Sequence, residues 1–328
     1  MNLAIEDTRV NERADYIPAD DDDSCDALTI PAELGGLRLD VALARLLPEH
    51  SRSRLQSWVK EGHVLVDGGV PDVRRKVWGG ERVDIDVPHP PELAAEHPED
   101  IPLAIVFEDE HLLVIDKPVG LVVHPGSGNW SGTLLNALLH HDPALAAVPR
   151  AGIVHRLDKD TSGLLVVAKT LAAQTELVRQ LQARSVRRHY AALVQGVLSA
   201  GGTVDAPIGR HPSQRTRMAV VGNGRPALTH YLVRERFARC TLLECRLETG
   251  RTHQIRVHMA HLGHPLVGDA VYGQRRSGEA LLDGFPRQAL HAFRLGLQHP
   301  ASGADMAWEV PMAVDFALLL ERLREHSA

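Results

Sequence analysis

Five prolines, Pro88, Pro90, Pro91, Pro98 and Pro102, fall between residues 88 and 102. No helix or central strand runs through such a stretch, because proline lacks the backbone donor and its ring clashes with the preceding turn. Residues 89–110 also carry seven acidic side chains and no Lys or Arg, which favours a solvated, extended connection. The 328-residue chain is therefore expected to build two separate cores, in keeping with the roughly 100 to 200 residues of a typical domain.

The expected boundaries are an acidic disordered tail over 1–29, a small module over 30–88, a linker over 89–102 and a large domain over 103–328. The tail holds nine acids, Asp20 to Asp23 among them, against Arg9 and Arg13. Such charge without apolar partners cannot offset the entropy of folding. In the small module Leu39, Leu43, Leu46 and Leu47 recur at helical spacing, and Pro48 stops the helix. A second helix is predicted with Ser51 as N-cap, Leu55, Trp58 and Val59 as its apolar face, and Gly62 at its C-terminal end. Short strands around Val64 and Val66, an Asp67-Gly68 turn and the alternating Val83, Ile85 and Val87 complete an α+β unit.

In the large domain, strand-like runs dominate: Leu112 to Ile115, Leu121 to Val123, Leu164 to Ala168, Tyr190 to Val194, and the alternation of Leu243, Cys245 and Leu247. Leu177, Val178 and Leu181 form a helical face between them. Neither GxxxxGK[ST] nor GxGxxG occurs, so a nucleotide-driven machine is not expected. Three cysteines without CxxC spacing suit a reducing compartment and argue against a cysteine-based zinc site. No apolar run approaches the ~20 residues of a membrane span, and the N-terminus lacks signal-peptide regions. A cytoplasmic protein is expected.

The formal net charge of -6 at first argues against a polyanion partner, but the charge is unevenly placed. Residues 30–88 balance nine acids with nine bases, whereas residues 150–260 hold 18 bases against seven acids. Arg184, Arg187 and Arg188 cluster there, as do Arg210, Arg215 and Arg217. A basic stripe on an acidic protein marks an anion such as RNA, although a merely solvated surface explains the count as well.

The segment His155-Arg156-Leu157-Asp158-Lys159-Asp160-Thr161-Ser162-Gly163 lies between apolar runs and reads as a loop joining two buried strands. Arg156 and Lys159 beside Asp158 keep its carboxylate ionised and nucleophilic. A salt-bridged turn is the structural alternative, and a glycosidase-like pairing of Asp158 with Asp160 is a weaker one. His253, His258, His261 and His264 invite a zinc site, but there is no HExxH pattern.

Extended to Leu164, the segment resembles the signature of the RluA/RluD family of pseudouridine synthases. A second segment, Leu247 to Met259 with its Thr249-Gly250-Arg251-Thr252-His253-Gln254-Ile255-Arg256 run, continuing at His264 to Asp269, is similar to that family too. Leu37 to Val87 resembles an S4 RNA-binding module. Together these cover roughly 30–320. The resemblance implies an α+β pseudouridine synthase fold, a mixed and largely antiparallel sheet with flanking helices and a central cleft. It implies an isomerase that breaks the ribose C1′–uracil N1 bond, rotates the base and joins C1′ to C5 without a cofactor or metal.

On this resemblance Asp158 matches the catalytic aspartate. Arg256 is its ion-pair partner, in the first turn of a capped helix starting near Thr252. Tyr190 matches the tyrosine that stacks on the extruded uracil, with a half-buried strand tyrosine as the plain alternative. Arg156 is similar to the arginine that fills the vacated stack. Arg215, Arg217 and Arg251, with Arg52, Arg54 and Lys60 on the second helix of the small module, are candidate RNA contacts; ordinary exposed cations would look the same. The implied partner is large-subunit (23S) ribosomal RNA, in the stem-loop called helix 69, or the pre-50S particle, bound by a monomer. Two other classes stay open: a non-catalytic RNA-binding assembly protein, and a metal-dependent hydrolase using the histidine cluster.

Overall fold

A computed structural model describes residues 25–47, 52–86, 97–126, 129–214, 217–273 and 278–327. The chain divides into two compact units, 1–90 and 91–328. No helix among the described residues is long and apolar enough to cross a membrane.

The first unit contains β1 (Cys25–Thr29), α1 (Leu39–Leu46), α2 (Arg52–Glu61), β2 (Val64–Val66) and β3 (Arg82–Asp86). Its sheet runs β1-β3-β2, all antiparallel. Leu39, Leu43, Leu55, Trp58, Val59, Val64, Val66, Val83 and Ile85 are buried together, which joins the helical and alternating patterns in one core. Gly62 ends α2 at φ 86° and Asp67-Gly68 turns at φ 51° and 75°, the left-handed conformations that glycine adopts without penalty. One boundary differs from expectation: Cys25–Thr29, assigned to the tail, pairs along β3. Cys25, Ala27 and Leu28 are apolar, but the run is short and follows a block of acids, and it takes the edge of β3 that β2 leaves open. Ser51 and Val87 lie outside the described residues.

The second unit is built on one mixed sheet. Its strands are β4 (Ile105–Glu108), β5 (Leu112–Lys117), β6 (Ser162–Ala168), β7 (Arg187–Gln195), β8 (Gly202–Asp205), β11 (Leu228–Arg236), β12 (Cys240–Leu247), β13 (Leu290–Gln298) and β14 (Asp305–Glu309). The order is β4-β5-β6-β13-β7-β12-β11-β8, with β14 on β13. Among the described strands, only β6 and β13 pair in parallel. A separate ribbon joins β9 (Ile208–Arg210) to β10 (Met218–Val220). The helices are α3 (Leu134–His141), α4 (Leu171–Gln182), α5 (Gln254–His261), α6 (Ala280–Asp283) and α7 (Val314–Ser327).

Leu121 to Val123 is not a strand; Val122 makes a single bridge to Thr133, and Leu121 and Val123 plug the core from a loop. Part of the expected linker also belongs to this unit. Asn136 on α3 donates to His97 O at 2.8 Å, and Glu99 accepts the Gly132 N–H at 2.9 Å.

Sheet register sets up the site. Gly163 faces Ala292, Ala292 faces Tyr190 and Tyr190 faces Cys245. The glycine that closes the His155–Gly163 segment therefore stands in one cross-sheet row with Tyr190, and one small residue, Ala292, lies between them. A Cβ on Gly163 would lie 2.2 Å from Ala292 O, at φ +110°, so only glycine admits this parallel junction.

Candidate active site

The segment 155–161 is irregular and held by its own backbone. Buried Lys117 donates to Lys159 O at 3.0 Å, as well as to Pro118 O and Leu121 O. Arg287 donates to Asp160 O at 3.1 Å, and Gln288 to the Thr161 hydroxyl at 3.2 Å. Each anchor is buried, so the loop is tied to the core at consecutive residues. Burial lowers the Lys117 ammonium to about 8, against the pull of Asp160 and Asp158.

Asp158 emerges from this loop with 15% of its side chain exposed. Its Oδ2 accepts from Arg256 Nη1 at 3.0 Å. Its Oδ1 lies 3.8 Å from His253 Nε2. Arg256 is buried and uses its remaining edge on Asp269, Nε to Oδ2 at 2.7 Å and Nη2 to Oδ1 at 2.9 Å. Burial works against both charges of that pair, but the paired hydrogen bonds outweigh it, raising the Arg256 pKa and lowering that of Asp269. The backbone N–H groups of Val271 and Tyr272 also reach Asp269.

Arg256 is the third residue of α5, close to the predicted position, but the cap differs. His253 at the N-cap is left-handed (φ 56°) and offers no side-chain cap. Gln254 instead accepts from the Arg251 N–H at 3.0 Å and the Thr249 hydroxyl at 2.7 Å. His253 Nδ1 pairs with the Tyr272 hydroxyl at 2.8 Å, which also takes the Met218 N–H at 2.9 Å.

Asp158, Arg256 and Tyr190 line one cleft of about 580 Å³, together with Arg156, Arg251 and Arg188. Tyr190 is 5% exposed, and burial raises its hydroxyl pKa, with Arg188 opposing. Arg156 is exposed at the rim; Arg251 donates to Pro226 O at 3.1 Å. The structure thus brings together five residues expected from sequence: Asp158, Arg256, Tyr190, Arg156 and Arg251.

The other expected contacts are not gathered here. Arg217 lies in the connection between β9 and β10 and does not line the cleft; Arg215 lies outside the described residues, as does the side chain of Arg54. In the first unit, Lys60 is exposed. Arg52 is half exposed, and its guanidinium is also on Asp40, at 2.7 Å, with Arg38 and Gln56 on the same carboxylate. A fully buried carboxylate needs such partners, so Arg52 also serves the fold. Asp160, the possible second carboxylate, does not line the cleft. The histidines do not converge: His258 bonds Thr229 and Ala206 O, and His264 bonds Gln195 O.

The sequence pointed to no role for Asp269, Tyr272, Lys117 or Arg287, and to Arg188 only as one of a basic cluster. Asp269 and Arg188 did stand in quoted segments, but nothing in their spacing shows that one grips Arg256 and that the other faces a cavity.

The geometry sets a carboxylate clamped by a buried arginine beside an aromatic side chain, in a cleft lined with further arginines. The sequence pattern described as RNA pseudouridylate synthase matches residues 111–261, and that of the S4 domain residues 37–83. The chain belongs to the RNA pseudouridylate synthase family, which are isomerases. It is 60% identical over 300 residues to the ribosomal large subunit pseudouridine synthase D of Nitrosomonas europaea, covering 90% of this chain and 87% of that one. To the protein of the same name in Pseudomonas aeruginosa it is 58% identical, covering 91% and 96%. Among solved structures, human RNA pseudouridylate synthase domain containing 1 superposes with a TM-score of 0.52 at 28% identity, over 70% of this chain and 97% of that one.

Proposed function

We propose that this protein converts uridine to pseudouridine in large-subunit (23S) ribosomal RNA, in the helix 69 stem-loop, acting on the RNA or the pre-50S particle in the cytoplasm. The observation that carries this reading is the Asp158–Arg256–Asp269 chain of charges at the cleft. The names of the relatives support the ribosomal target.

In this reading Asp158 is the catalytic carboxylate. Arg256 aims it through a charge-assisted hydrogen bond at 3.0 Å, stronger than a neutral one and fixed in direction. The target base is stacked in RNA and must leave the stack, at a cost of a few kcal/mol. Tyr190 receives the extruded uracil on its ring, Arg156 occupies the gap, and Arg251 contacts the backbone from the rim. Lys60, Arg54 and Arg215, with Arg217, add phosphate contacts that position without specifying sequence. The reaction balances internally: N1–C1′ breaks, C5–C1′ forms, C5 loses a proton and N1 gains one.

The test is pseudouridine mapping in ribosomal RNA from cells with and without the protein, paired with Asp158→Asn. The variant is expected to bind RNA and make no product. An active Asp158→Asn enzyme, or an unchanged map, overturns the reading.

A further inference from the structure

Among the described residues of the second unit three arginines are buried, and two have carboxylates: Arg256 has Asp158 and Asp269, and Arg287 has Asp315. The third, Arg188, is 7% exposed and has no carboxylate partner among the described residues. Its one hydrogen bond runs from Nη2 to the backbone oxygen of Glu248 at 3.3 Å, and its buried Nε has no partner. Gly250 leaves the guanidinium its place, since a Cβ there would stand 2.7 Å from Nη1.

A second unpaired donor lines the same cleft. His155 Nε2 accepts the Val166 N–H at 3.1 Å, so the proton of the neutral ring sits on Nδ1. That nitrogen is buried without an acceptor. Burial and the nearby Arg188 push the ring down to about 3, so it is neutral at any working pH. Arg188 and Tyr190, two residues apart on β7, share a face of the sheet, and all three line the cleft that holds Asp158.

An unpaired buried cation costs several kcal/mol, and an orphaned donor adds to that. Two together facing a cleft call for an acceptor that arrives with the substrate. We propose that Arg188 and His155 bind a ring carbonyl oxygen of the extruded uracil, and that the Arg188 cation holds the negative charge that develops there as N1–C1′ opens. The bonding pair stays on the base, spread over N1, O2 and O4, and is returned when C5–C1′ closes; Arg188 and His155 give up neither proton nor electron. Donors fixed in advance at such a position stabilise the charged transition state without reorganising. This inference rests on the proposed uridine isomerisation.

The experiment compares wild type with Arg188→Met in single-turnover assays on a stem-loop RNA. The target is uridine, 2-thiouridine or 4-thiouridine, and a further RNA carries methylphosphonates flanking the target. Arg188→Met is expected to lower the rate about 100-fold while melting no lower than wild type, because it removes an uncompensated charge. One thio substitution should slow wild type and add nothing in Arg188→Met, since a shared contact is lost only once. Thio effects that multiply in the variant overturn the proposal. So does a methylphosphonate effect that vanishes instead, which marks a phosphate site. Arg188→Met melting well below wild type would make Arg188 a structural residue. Wild type inactive on every RNA overturns the functional reading, and this inference with it; an active wild type with independent effects overturns this inference alone.

Discussion

Arg256 holds two carboxylates at once, Asp158 through Nη1 at 3.0 Å and Asp269 through Nε and Nη2 at 2.7 and 2.9 Å. A lysine has one point of charge and cannot span both. Arg256→Lys should therefore keep charge and fold but lose the aim of Asp158. Hydrogen bonds to charged groups are worth about 1.5–3 kcal/mol, so kcat should fall about 10- to 100-fold with little change in RNA affinity. Steady-state kinetics beside a binding titration check this; an equal loss in affinity would place Arg256 in RNA binding instead.

The Tyr272 hydroxyl links the Met218 N–H to His253 Nδ1, and His253 in turn faces Asp158. Tyr272→Phe leaves that N–H and that nitrogen unmatched. We expect a loss of about 1–3 kcal/mol in stability and a slower enzyme, read by denaturant unfolding and initial rates. A variant as stable and fast as the parent would show that the link is idle.

Gly163→Ala would force a methyl group to within 2.2 Å of Ala292 O at a φ of +110°. Insoluble protein, or a markedly lower Tm, is expected. Gly222→Ala serves as control, because nothing lies within 4 Å of its Cβ position and its backbone needs no left-handed angle. Similar melting of the two variants would refute the argument.

Three histidines are held neutral when folded. Burial, aided by neighbouring arginines, lowers His124 and His291 to about 4 and His155 to about 3, from 6.5. The unfolded chain binds protons below about 6.5 while the folded chain does not, so stability must fall with pH from 6.5 down to about 4 and be unaffected by these groups above 6.5. Melting curves across this range should show that fall, and His124→Gln should make it shallower. A slope unchanged by that substitution would mean that His124 binds its proton alike in the folded and unfolded chain.

Much of this was legible in the chain. Proline spacing separated two units, leucine spacing placed α1, and the strand runs at Leu112, Leu164 and Tyr190 lie in β5, β6 and β7. These features depend on local stereochemistry and on apolar period, which a sequence displays directly. Leu121 to Val123 misled because a short apolar run fits a core-filling loop as well as a strand. Cys25–Thr29 was missed because an edge strand is recruited by the backbone of β3, whatever its side chains.

Among the site residues, Asp158, Tyr190 and Arg256 stood out through motif resemblance, which also implied the Asp158–Arg256 pair; residue spacing by itself showed no such meeting. Asp158 and Arg256 are 98 positions apart, and the register that sets Gly163 beside Ala292 and Tyr190 joins three distant strands. The sequence by itself determined the residue types, the local elements and the glycine that the junction demands, because these follow from each residue's own backbone and polarity. Only the tertiary structure decided which cations are neutralised and which are left open: Arg52 went to Asp40 and Arg256 to two carboxylates, while Arg188 faces the cleft without one. Charge pairing depends on distance in space and on exclusion of water, and neither quantity exists until the chain has folded.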